Sequence, residues 1–207
     1  MFRAILTVVG IVMSQVELAQ AIPNVTVTPL PPTCASYPAY DNSTGQAGPW
    51  YLVADATGSS IDGFAATATY YTNPDFHRWG FITIPSVKAT KNPAMRCANG
   101  TLQAQLSTGN NNTAWQDIVV AGDNNWQAGI GFAFPGDQSK DIPVQPYAHF
   151  INGTRQPGVF LGAKNVTTWY FKDNWAGNAG EYYLLRLWAS GTELEEKDHA
   201  GFLKLVV

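Results

Sequence analysis

Glycine-containing turn pairs set the length scale of this chain. Thr57-Gly58, Asp62-Gly63, Asn99-Gly100, Thr108-Gly109, Pro135-Gly136, Asn152-Gly153 and Ser190-Gly191 cut it into runs of strand length. Between them lie segments rich in β-branched and aromatic residues, at 50–54, 64–72, 79–84, 118–121, 130–134, 159–163, 168–172, 182–189 and 202–207. Residues 101–107 alternate strictly. Leu102, Ala104 and Leu106 share one face and Gln103 and Gln105 the other, the pattern of a half-buried strand. Only residues 192–200 read as helix, with Thr192 and Glu195 at capping-box spacing and Gly201 to end the turn. The expectation is all-β: a single compact antiparallel domain, closed or two-layered.

The body begins near Trp50. Residues 22–49 hold Pro23, Pro29, Pro31, Pro32, Pro38 and Pro49, six of the thirteen prolines. Proline fixes φ and lacks a backbone donor, so this stretch is expected to be an extended, irregular arm. Residues 1–21 read as a signal peptide: Arg3, an apolar run at 4–13, then Ala19-Gln20-Ala21 as the cleavage site. That run is about half the ~20 residues that cross a bilayer, and no longer one follows, so no membrane span is expected. A secreted chain sits in an oxidising compartment. There Cys34 and Cys97, the only two cysteines, pair with each other and tie the arm to the body. Asparagine sequons at Asn24, Asn42, Asn99, Asn111, Asn152 and Asn165 point to a glycosylated surface.

Charged residues make up only 13% of the chain and the net charge is −3, so no basic surface recruits nucleic acid. Two cysteines exclude a Cys₄ zinc site or an iron–sulfur cluster. His77, His149 and His199 lie far apart with no short metal-ligand spacing, so neither metal nor cofactor is expected. Nucleophile elbows, P-loops and zinc-protease motifs are missing. Asp75 and His77 form one local carboxylate–imidazole pair, read first as part of a polar loop. His149, within an aromatic strand, reads as a satisfied core or rim histidine. His199, beside Glu195, Glu196 and Asp198, reads as part of a solvated helical face.

Two clusters carry more chemistry. Asp123, Asn124, Asn125 and Trp126 form one, and Asp173, Asn174 and Trp175 the other. Sugars bind where amides and carboxylates meet hydroxyls beside an aromatic face. The competing reading makes Asp and Asn turn formers and Trp a core residue. Asp173 and Glu181 flank a glycine-rich loop and could pair as general acid and base, as in glycosidases.

Strand–turn–strand units beginning near Tyr51, Arg96 and Tyr147 are each followed by an aromatic-rich strand, a faint threefold pattern. The last unit, GVFLGAKNVTTWYFKDN followed by EYYLLRL, resembles the strand pattern of β-trefoil lectins and inhibitors, without the lectin Q-x-W signature. The chain as a whole resembles small secreted β-proteins of filamentous fungi. These likenesses rank a β-trefoil ahead of a β-sandwich. The function expected is a secreted, glycosylated binding protein of a cell wall or extracellular surface, with carbohydrate as ligand. Asp123, Asn125, Trp126, Asp173, Asn174 and Trp175 are its candidate contacts. The alternatives are a cofactor-free enzyme, cyclase- or isomerase-like, acting on a small apolar molecule, and a trefoil-type protease inhibitor.

Overall fold

The computed structural model describes residues 22–72, 78–89, 94–109, 112–121, 129–133, 141–177, 180–188 and 191–207. The sequence expectations at 1–21 and at Asp75, His77, Asn111, Asp123, Asn124, Asn125 and Trp126 lie outside them. The first half of the chain supplies β1 (Thr26–Pro29), β2 (Tyr40–Asp41), β3 (Gln46–Asp55), β4 (Thr67–Thr72), β5 (Arg78–Pro85), β6 (Met95–Ala98), β7 (Thr101–Gly109) and β8 (Asn112–Ala121). The second half supplies β9 (Gly129–Phe132), β10 (Ile142–Pro143), β11 (Gln145–Ile151), β12 (Thr154–Arg155), β13 (Val159–Gly162), β14 (Thr168–Ala176), β15 (Gly180–Leu187) and β16 (His199–Val206). The fold is all-β and the strands form one large antiparallel sheet.

The pairing closes on itself. From β3 it runs through β6, β7, β8, β9, β15, β14 and β16, and β16 pairs back onto β3 from Phe202↔Asp55 to Val206↔Tyr51. β5 is wedged beside this circuit, with Ile84 opposite Tyr183 and Phe81 opposite Gly131. The free edge of β16 is shared, its start by β14 and its end by β13, and a wing continues from β13 through β11 to β1.

Alternation then fixes what lies inside. Trp50, Leu52, Met95, Leu102, Ile130, Trp169, Phe171 and Leu203 belong to one core cluster, each at most 2% exposed. The two core indoles are satisfied: Trp50 donates to the Pro38 carbonyl at 2.9 Å and Trp169 to the Leu161 carbonyl at 2.8 Å. Two Asn-Gly pairs do what such pairs do best. Asn99-Gly100 joins Ala98 to Thr101 with φ of 54° and 79°, and Asn152-Gly153 joins Ile151 to Thr154 with φ of 49° and 78°. Positive φ at both positions is the type I′ hairpin turn.

Two local expectations change. The proline-rich arm is extended but not irregular throughout. Thr26–Pro29 adds a strand to β11, where its one proline, Pro29, sits at an edge that needs no further donor. The helix at 192–200 does not form. Asp198 is buried, and its carboxylate accepts from the Tyr170 hydroxyl, the Asp173 N–H and the Glu195 N–H. A nine-residue helix is marginal in water, and these tertiary bonds hold the segment as a turn before β16. The disulfide forms as expected, Cys34 in a 3₁₀ turn (Cys34–Ser36) against Cys97 on β6, with Cα atoms 5.3 Å apart.

Candidate functional site

The β14–β15 hairpin is longer than the core it covers. Its register runs from Trp169↔Leu187 to Ala176↔Gly180. Trp169, Phe171 and Leu185 are buried at its base. Two residues per step along the same face come Asp173 opposite Tyr183, then Trp175 opposite Glu181. Tyr183 still packs partly against the core; one step further the core has ended, and Trp175 is 67% exposed. The ring is open to solvent over most of its surface, with one end beside Gly177.

The polar groups around it are fixed. Asn174 accepts from the Trp175 N–H through Oδ1 at 2.8 Å. The Glu181 carboxylate lies 3.6 Å from Lys197, and the Glu181 carbonyl accepts from the Ser86 hydroxyl at 2.8 Å. Asp173 is anchored by its backbone, which donates to Asp198 at 2.8 Å. Burial pushes the Asp198 carboxyl up, but the Tyr170 hydroxyl, the two backbone N–H groups and Lys172 more than reverse that, and it sits below the usual carboxylate range. One rung inward, Tyr183 and His199 rings are 5.4 Å apart. Burial holds His199 below its ordinary value, partly offset by Asp198, Asp62 and Asp173. Burial raises Tyr183, and Asp173 and Glu181 push the same way.

Asp173, Trp175 and Glu181 therefore share one face of the hairpin tip, while Asn174 lies on the other face and spends its Oδ1 on the Trp175 backbone N–H. Asp173 and Glu181 are diagonal neighbours on one face, with backbones about 7–8 Å apart. Glu181 is mostly exposed and its charge is met by Lys197. Among the described residues nothing excludes water from the pair, an arrangement that suits hydrogen bonding to hydroxyls.

His149 is elsewhere and fully occupied. It is 1% exposed, its Nε2 lies 2.8 Å from the Thr167 hydroxyl, and its ring stacks on Phe160 at 3.7 Å with Phe202 edge-on. Burial pushes it down to about 4. It lies under a cleft of about 210 Å³ bounded by Pro23 and Val25 of the arm and by Asp55 and Lys204. It is the satisfied core histidine that its aromatic strand suggests. Sequence reasoning missed two arrangements: the buried Asp198 acceptor, and an Arg96–Trp115 pair 4.2 Å apart on the outer face of the sheet.

No known family model matches the chain, and no curated protein matches it.

Proposed function

We propose that the chain is a secreted, glycosylated binding protein of a cell wall or extracellular surface, and that it takes carbohydrate at the β14–β15 hairpin tip. The observation that carries this reading is the exposure of Trp175 at 67% beside Asp173 and Glu181, while Trp50 and Trp169 are at most 1% exposed. A sugar's apolar face lies on the indole and its hydroxyls meet the carboxylates. Glycosylation is supported by five sequon asparagines, Asn24, Asn42, Asn99, Asn152 and Asn165, all exposed. Secretion is supported by the paired cysteines, since such bonds persist in oxidising compartments.

The enzyme reading needs an apolar pocket. Two clefts lined by described residues have volumes of about 210 and 260 Å³. Pockets for drug-sized ligands are about 300–1,000 Å³. The test is a glycan array on the secreted protein, followed by Trp175→Ala measured for both affinity and stability. Aromatic stacking is worth about 1–3 kcal/mol per stacked base in nucleic-acid complexes, so affinity for the bound glycan should fall about five- to a hundredfold. Stability should change by less than about 1 kcal/mol, because little of the ring is buried. Unchanged affinity removes the hairpin site, and the apolar-ligand enzyme then becomes the better reading.

A further inference from the structure

A second cleft, remote in sequence from the hairpin, is built around Arg96. It has a volume of about 260 Å³ and is lined by Asp41, Thr44, Gln46, Arg96 and Trp115, with the chain at 47–49 between them. It opens where the β3–β6 register shifts between Ala47 and Trp50. Gly48 is required there: a Cβ would lie 2.9 Å from the Met95 carbonyl oxygen, at φ of 114°.

The arginine is hydrogen-bonded on two sides, and among the described residues no ion pair meets its charge. Its Nε donates to Gln103 Oε1 at 2.9 Å and Nη1 to Gln46 Oε1 at 3.5 Å, and the guanidinium lies over Trp115. Gln103 is fixed in turn by donating to Asp117 Oδ1 at 2.8 Å. The result is a polar ladder, Gln46–Arg96–Gln103–Asp117, across β3, β6, β7 and β8. Among the described residues no carboxylate forms an ion pair with Arg96. A guanidinium has five N–H donors. The Nε–H and one Nη1–H are used; among the described residues that leaves three N–H donors, both on Nη2 among them, to meet a carboxylate.

The opposite wall is a polar turn held by its own hydrogen bonds. Asp41 accepts from the Ser43 N–H at 2.8 Å, the Ser43 hydroxyl at 2.7 Å and the Thr44 hydroxyl at 3.1 Å. These bonds hold its carboxyl below the usual range. The Thr44 N–H bonds it as well, so the roughly four acceptor positions of this carboxylate are filled from within its own turn.

We propose that this cleft is a second binding site and that it takes an acidic sugar residue, with its carboxylate on the remaining Arg96 N–H donors and its hydroxyls toward Gln46 and Thr44. The site is independent of the hairpin reading and stands if that reading fails.

The experiment is an NMR titration of the isotope-labelled, folded protein with D-galacturonate and D-glucuronate. Galactose, acetate and glycine serve as controls. Shifts are expected at Gln46, Arg96, Gln103 and the Trp115 indole with at least one uronate, and binding by galactose, acetate and glycine at least about tenfold weaker. Arg96→Lys keeps the charge but loses the guanidinium donors and should weaken binding about tenfold. Arg96→Gln should abolish it. Gln46→Ala removes a rim amide without touching the core and should weaken it, which keeps the test valid if an Arg96 variant misfolds. Trp175→Ala should leave it unchanged. Absence of shifts in the wild type, equal binding of a control, or full binding by Arg96→Gln would overturn the proposal. So would loss of uronate binding in Trp175→Ala, which would assign the ligand to the hairpin.

Discussion

Acid should loosen this fold through one side chain that can be isolated. His149 is buried among Phe160, Phe202 and Thr167, and burial moves it from 6.5 to about 4. The unfolded chain takes up this proton near 6.5, whereas the folded chain resists it until about 4. The folded pKa is depressed, so the neutral ring contributes stability that is complete above pH 6.5 and lost as pH falls toward 4. The slope approaches 1.36 kcal/mol per pH unit, for a total of about 3 kcal/mol. Other groups act in or near this window. His199, also held low by burial, pulls the same way; Asp55, held high by burial, pulls the opposite way; Asp198 and Asp41 act at lower pH. A difference measurement removes them. His149→Phe keeps a ring against Phe160 and loses the Thr167 bond, a pH-independent cost of about 1 kcal/mol. Urea unfolding of both proteins at pH 4, 5, 6 and 7 should show the wild type losing about 2–3 kcal/mol more than the variant across the series. Parallel curves would refute the burial argument, as would an imidazole that titrates near 6.5 by NMR in the folded protein.

Further outcomes follow from the same geometry. Trp169→Ala should cost about 3–5 kcal/mol in denaturant unfolding, because its ring is fully buried and its N–H bonded, in contrast to Trp175→Ala. Replacing both Cys34 and Cys97 by Ser should cost about 4 kcal/mol in the chain-entropy model for a separation of 63 residues, read from the same assay. Asp198→Ala strands the Tyr170 hydroxyl and two N–H groups and should cost about 3 kcal/mol or more. Gly131→Ala places a Cβ 2.5 Å from the Gly80 carbonyl oxygen, and thermal unfolding should register a loss of about 1–3 kcal/mol as β5 and β9 move apart.

The β character was readable because its signals are local. A strand shows as alternation within a few residues, and the two Asn-Gly turns show as dipeptides; both became the elements they suggested. Residues 192–200 failed for the opposite reason. Thr192 and Glu195 have capping-box spacing, yet the fate of the segment was set by Tyr170 and Asp173, more than twenty residues away, competing for Asp198. The arm failed similarly. Prolines correctly announced extended backbone, but its pairing partner, β11, lies over a hundred residues on. Local sequence carries conformational preference; it does not carry the identity of a partner.

The same distinction separates the two candidate sites. Asp173, Asn174 and Trp175 are consecutive, so their chemistry was visible as a cluster before any fold was known. Only the end of the core beyond Phe171 had to be supplied, and this is what turns Trp175 outward. The Arg96 cleft has no such cluster. Its ladder takes one residue from each of four strands, from Gln46 to Asp117. Alternation had already put Gln103 on the polar face of its strand. It could not say that Arg96 and Asp117 would flank it, because that depends on the register of β6 and β8 against β7. A slip of one residue in either pairing would turn that strand's ladder residue to the core face and break the ladder. A site of this kind is therefore tied to the sheet's register. The proposed Arg96 site needs β6, β7 and β8 in their native register, whereas the proposed hairpin site needs only neighbours on β14 and β15.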